Sequence, residues 1–227
     1  MPKLPGYFST IWAIARKDLA VEWRSRQLVT AMLVFAMLVI FVFAFTLDID
    51  ARTRQQIAAG VLWVTFAFAG TLGLNRSMAL EGERGGLDGL LLAPVERSAV
   101  YFGKTLANLL FMLVVELITL PLYAVLYGTN LMQPGLWAVL LLGSWCFCTV
   151  GTLLAAMAAQ ARSRELLLPV LLFPLLLPVL VTAVRASSAF LSGLGLEYAL
   201  PSLNVLIAYG VIMPALGFMF FDFIVEE

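Results

Sequence analysis

The sequence predicts an all-α membrane protein, six transmembrane helices preceded by an amphipathic helix lying in the membrane interface. Of 227 residues, 62% are apolar and only 12% are charged, against roughly 45–50% and 25% in soluble domains. Six runs reach the length of about 20 apolar residues that crosses the hydrocarbon core. None of them alternates apolar and polar residues as a membrane barrel strand does, and in lipid only a helix satisfies every backbone group within its own segment.

The same composition excludes other classes. Fourteen basic and fourteen acidic residues leave no net charge, so the positive excess that neutralises nucleic-acid phosphates is missing. Two cysteines are too few for a secreted disulfide scaffold. There is no histidine, which removes the usual imidazole ligand of a metal or haem iron and the commonest general base. No catalytic residue and no metal site is expected. A signal peptide is not expected either, because the first long apolar run begins near Leu28 with no small-residue cleavage pattern after it.

Ahead of the first span, Phe8, Trp12, Ala15, Leu19 and Trp23 recur at intervals of three and four and form one stripe between residues 7 and 26. Arg16, Lys17, Asp18, Glu22 and Arg24 lie largely off it. Such a helix rests in the interface, with Trp12 and Trp23 at headgroup level and Arg16 and Lys17 near anionic lipid. A solvated lead-in to the first span is the plainer alternative.

The spans are expected at about 28–47, 57–74, 105–127, 136–159, 166–184 and 203–225, making residues 1–227 one transmembrane domain. The second carries Ala69, Gly73 and Ser77 and the fourth Gly151, Ala155 and Ala159 at four-residue spacing, which lets helix backbones approach closely. Pro169, Pro174 and Pro178 predict a bent or broken fifth span. Arg185 to Pro201 is too apolar for a free loop and too short to cross, so it is expected to dip into or lie on the outer interface. Asp222 is expected to be solvated at the end of the sixth span.

Cations set the orientation. Eleven of the fourteen Lys and Arg fall on the side holding the N-terminal arm and the connections after spans two and four, and only Arg52, Arg54 and Arg185 on the other. Both termini are therefore expected in the cytoplasm.

The connection between spans two and three reads NRSMALEGERGGLDGLLLAPVERSAVYFGK over residues 75–104 and concentrates charge in a chain otherwise poor in it. Leu87, Leu90 and Leu91 sit at helical spacing between Gly86 and Pro94. A charged cytoplasmic corner with an apolar stripe suits docking to another protein; an interfacial turn that merely joins two spans fits as well.

The order Glu83, Gly86, Leu87, Asp88, Leu90 to Leu92, Pro94, Gly103, Lys104 resembles the region after the second span of type-2 ABC exporter permeases. With Arg16-Lys17-Asp18-Leu19 and Glu22, Gly60-Val61-Leu62-Trp63, and Glu116 ahead of Leu120-Pro121-Leu122, the chain resembles the haem exporter protein B family, CcmB, of cytochrome c maturation. The length and six-span layout match throughout, while the diagnostic residues lie mostly between 16 and 122. Asp88 stands where the family usually has Glu, and Arg84-Gly85-Gly86 is less typical. The resemblance implies a permease subunit in the bacterial cytoplasmic (inner) membrane, handling haem as transported or handed-over cargo. It also implies a cytoplasmic ATPase, CcmA, the membrane partners CcmC and CcmD, and the haem chaperone CcmE. Glu81, Glu83, Arg84, Gly86, Leu87, Asp88, Leu91 and Pro94 would then form the ATPase-coupling segment. The chain has no Gly-x-x-x-x-Gly-Lys-Ser/Thr, so ATP must be bound by a partner.

Cys146 and Cys148 lie in an apolar run and are expected to be inert packing residues. Glu116 is the one acid near the middle of a span. Burying it in hydrocarbon is costly, so it either serves a conformational or pathway role or makes an interhelical hydrogen bond. A type-2 permease for another lipid-like or glycan cargo, and a non-transporting membrane scaffold, remain as alternatives. A secondary transporter fits less well, with one central acid and no internal repeat.

Overall fold

The structure, a computed structural model, describes residues 6–46, 50–83, 96–159 and 164–225, with backbone alone for 51, 78–83, 159, 164–167 and 222–225. Seven helices are present among them: α1 (Tyr7–Ser25), α2 (Gln27–Thr46), α3 (Ala51–Glu83), α4 (Arg97–Tyr127), α5 (Pro134–Ala159), α6 (Arg164–Leu191) and α7 (Leu196–Val225). Six of these, α2 to α7, are long and apolar enough to cross a membrane.

The junction between α1 and α2 is a single residue. Arg26 takes a left-handed conformation, φ 53°, and its N–H donates to the Glu22 carbonyl at 2.6 Å. That turn brings the Glu22 side chain over the start of α2, where it accepts from the Val29 N–H at 2.9 Å and the Ser25 hydroxyl at 3.1 Å. A carboxylate suits that place because the first N–H groups of a helix have no partner within it and carry its positive end. Asp50 does the same for α3, accepting from the Thr53 hydroxyl at 2.6 Å. That hydrogen bond holds the Asp50 carboxyl below its ordinary value.

Burial separates inner from outer helices. About 72% of the spanning windows of α3 and α5 is buried, against 28% for α2 and α6 and 22% for α7. The outer faces carry Val34, Leu38, Phe45, Val205 and Val211 exposed, as lipid-facing surfaces do. Small residues admit neighbours where the spacing predicts: a Cβ on Gly73 would strike Met32 of α2, and one on Gly151 would strike Leu74 of α3.

Two expectations are corrected and a third is narrowed. The span ends are longer than composition indicates, because Ser98, Ala99, Val100 and Tyr101 ahead of residue 105 are buried and extend α4 backwards, while α3 starts at Ala51. No re-entrant segment lies between 185 and 201. Instead α6 continues to Leu191, with Ala186, Ala189 and Phe190 buried, and a turn of four residues, 192–195, leads into α7. Gly193 and Gly195 carry the positive φ values of that turn, 71° and 83°, a conformation that costs glycine little. Of the apolar residues expected in that connection, Phe190 is buried at the end of α6, while Leu194 in the turn and Leu196 and Tyr198 at the start of α7 are exposed. Finally, of the two forms expected for the fifth span, bent or broken, it is not the broken one: α6 is continuous through Pro169, Pro174 and Pro178. The Thr182 hydroxyl donates to the Pro178 carbonyl one turn back in the same helix at 2.6 Å, and the Tyr209 hydroxyl of α7 donates to the Leu175 carbonyl at 2.5 Å.

Candidate functional site

Two polar features stand out in an apolar molecule, and α4 contributes to both. At its start, Lys104 is 2% exposed and its Nζ donates to Asp18 Oδ2 of α1 at 2.7 Å. Close approach makes this contact possible: a Cβ on Gly103 would lie 2.8 Å from Ile14 Cβ and 3.1 Å from the Ile11 carbonyl oxygen. One turn and a half earlier, the Tyr7 hydroxyl donates to Ser98 Oγ at 3.3 Å. The helix in the interface is thus fastened along the first two turns of α4.

Its two sides differ accordingly. Trp12, Arg16, Lys17 and Trp23 are exposed, as the amphipathic pattern predicts, and so is Phe8. The acids behave otherwise. Glu22 is buried and Asp18 half-buried, both turned toward protein, while Ala15, expected on the lipid stripe, is fully buried. One face of α1 is therefore packed on protein and the other is open.

Deeper in the bundle, α4 and α5 run antiparallel and meet in a ladder. Glu116 accepts a hydrogen bond from the Ser144 hydroxyl, Met112 Sδ lies 3.9 Å from Cys148 Sγ, and Asn108 Nδ2 donates to Thr152 Oγ1 at 3.0 Å. Each step moves four residues back on α4 and four forward on α5, about one helical turn. The Tyr101 hydroxyl closes the series on the Thr149 carbonyl at 3.0 Å. Glu116 is 2% exposed, and the interhelical hydrogen bond is its observed contact. Such bonds in membrane bundles average about 0.6 kcal/mol and reach roughly 1.7, so Ser144→Ala is expected to lower thermal stability by that small amount, measured by melting in detergent. A loss several times larger would mean that Glu116 depends on Ser144 for more than one hydrogen bond.

The two cysteines do not converge. Cys146 Sγ donates to the Leu206 carbonyl of α7 at 3.3 Å while Cys148 faces α4, on nearly opposite sides of α5, as residues two apart must be. Among the described residues no group of three or more His, Cys, Asp or Glu stands together. Trp63 joins three helices: its indole N–H donates to Ser187 Oγ of α6 at 2.9 Å, and a Cβ on Gly143 of α5 would strike its ring.

Of the expected coupling residues, Arg84, Gly86, Leu87, Asp88, Leu91 and Pro94 lie outside the described residues, as do the side chains of Glu81, Glu83 and Asp222. The backbone places Glu81 and Glu83 in the last turn of α3, and α4 resumes at Arg97.

Residues 9–219 match the family model described as CcmB protein. The chain belongs to the CcmB family. Its relatives agree along most of their length. It is 32% identical to Heme exporter protein B of Rhodobacter capsulatus over 194 residues, 84% of this chain and 88% of that protein. The same name is borne by relatives in Paracoccus denitrificans, 32% identical over 179 residues with 77% and 80% covered, and Pseudomonas aeruginosa, 30% identical over 182 residues with 80% and 81% covered. Within this CcmB chain the residues that carried the resemblance each make a contact between helices. Asp18 and Lys104 pair, Ile14 fills the room left by Gly103, Trp63 spans three helices and Glu116 heads the ladder.

Sequence reasoning missed the partners rather than the residues. Lys104 was read with the coupling segment and Asp18 with the interfacial helix, and their pairing was not anticipated. Asn108, Ser144 and Thr152 were passed over, although 108, 112, 116 and 144, 148, 152 each recur every four residues, a spacing that marks one face of a helix.

Proposed function

We propose that this chain is the membrane permease subunit of an ATP-driven complex that exports haem, or releases it with its chaperone, for cytochrome c maturation. Membership of the CcmB family across residues 9–219 carries this reading. The chain acts as one permease domain in the bacterial inner membrane with both termini cytoplasmic, the side favoured by eleven of fourteen cations. ATP is hydrolysed by a separate subunit, CcmA, and CcmC, CcmD and CcmE complete the machinery. Without histidine, and with its cysteines facing apart, this subunit moves or releases haem while its partners ligate the iron.

The coupling segment, Glu81, Glu83, Arg84, Gly86, Leu87, Asp88, Leu91 and Pro94, docks on the ATPase. Nucleotide-driven closure there would be felt first by α3 and α4, between which the segment is strung, and through Lys104 by α1. This is transmission by a two-state mechanical element. Glu116 sits between the moving helices as a hydrogen-bonded contact. In cells lacking the wild-type gene, Glu83→Lys with Asp88→Lys is expected to abolish co-purification of the ATPase and holo-cytochrome c formation while the permease remains in the membrane. ATPase bound at wild-type level to that variant would overturn the docking assignment, and holo-cytochromes in a strain without the permease would overturn the haem reading.

A further inference from the structure

We propose that the groove at the α1–α2 elbow is a binding site for one anionic phospholipid, its phosphate on Arg26 and an acyl chain along α2. The cavity there measures about 360 Å³, within the range of roughly 300–1,000 Å³ typical of ligand sites. Leu19, Trp23, Val29, Leu33, Phe111 and Val114 supply apolar walls from α1, α2 and α4, and Glu22, Arg26 and Thr30 the polar end.

Position and polarity identify the occupant. Arg26 stands at the corner where the interfacial helix turns into a span, and Leu33, seven residues on, lies about 10 Å further along α2 at 1.5 Å per residue. Charge at the headgroup end and hydrocarbon below is the polarity of a lipid standing in its leaflet. The rim is open to the membrane, since Trp23 and Val114 are exposed. Arg26 is the group of the lining available to an anion. The one acid of the lining, Glu22, is already engaged by the Val29 N–H and the Ser25 hydroxyl, and among the described residues no carboxylate pairs with Arg26. Exposed Arg24 lies beside it in sequence. Haem, another amphiphilic anion, finds no ligand there: the lining holds no Cys, Met or Tyr and the chain no His. A lipid in this place braces α1 against α4, and the proposal stands independently of the cargo.

The test is native mass spectrometry of the delipidated full-length chain, in whatever complex it purifies with, titrated with phosphatidylglycerol or phosphatidylcholine. One phosphatidylglycerol should be retained about fivefold more tightly than phosphatidylcholine, the factor expected from one cation near an anionic headgroup. Arg26→Gln should erase that preference, and Val114→Trp, which fills the groove from α4, should remove the bound lipid altogether. Arg52→Gln, at the other end of the bundle, should change neither. Equal retention of the two lipids by the wild type, or unchanged phosphatidylglycerol binding in both groove variants, overturns the proposal, as does displacement of the lipid by stoichiometric haem or by self-association of the chain.

Discussion

Lys104→Met is expected to destabilise the protein by about 3 kcal/mol, the low end of the cost of breaking a buried ion pair, because Asp18 keeps Lys17 at 3.4 Å. Lys104 is 2% exposed and Asp18 10%, with 2.7 Å between the charged atoms, so removal of the ammonium leaves a carboxylate that water reaches poorly. Asp18→Asn breaks the same ion pair and should also lower stability. The double variant should be more stable than either single one, because replacing both members of a buried pair by neutral groups is often close to neutral. Lys17 gives the comparison: it is 43% exposed and 3.4 Å from the same Asp18, and a pair at the surface contributes about 0–1 kcal/mol. Melting of the four variants in detergent measures all of this. A Lys104→Met protein as stable as Lys17→Met would mean that the α1–α4 junction does not depend on the Asp18–Lys104 pair. The variant should also lose holo-cytochrome formation in cells, since α1 is then no longer held to the helix that follows the coupling segment.

Trp63→Ala is expected to cost a similar amount, about 3–5 kcal/mol for truncating a large aromatic in a packed interior. The indole is 1% exposed, lies edge-on to Phe66 with ring centres 6.4 Å apart, and is tied to Ser187. Trp63→Phe retains most of the ring and removes the hydrogen bond, so it should cost much less, about 0.6 kcal/mol and at most roughly 1.7 beyond the lost volume. Gly143→Ala attacks the same contact from α5 and should cost about 1–3 kcal/mol by overpacking. Combined with Trp63→Ala, the added methyl enters the cavity, and the two losses should sum to more than the double variant shows, as coupled neighbours do. Additive losses would mean that Gly143 does not sense the tryptophan.

Helices that must cross a bilayer are legible one at a time, because each run answers to lipid rather than to its neighbours. The first span was expected at 28–47 and is α2, Gln27–Thr46. Errors fell where helices continue beyond the hydrocarbon. At 98–104 and 185–191 the residues are polar or small enough to resemble a connection, and only burial against α1 or the bundle keeps them helical. The three prolines of α6 interrupt no helix, although each removes a backbone donor; whether a proline ends a helix depends on the neighbours packed around it, which a local rule does not contain.

By itself the sequence determined the class of the protein, its six spans, its amphipathic leading helix and its family, since all of these follow from local composition, periodicity and short motifs. Tertiary structure alone decided what the polar residues do. Asp18 and Lys104 are 86 residues apart in the chain, Glu116 and Ser144 are 28 apart, and Glu22 caps the helix that follows its own. In a membrane interior a polar group is costly until it finds a partner, and which partner it finds depends on how whole helices are arranged, a property that no single stretch of sequence contains.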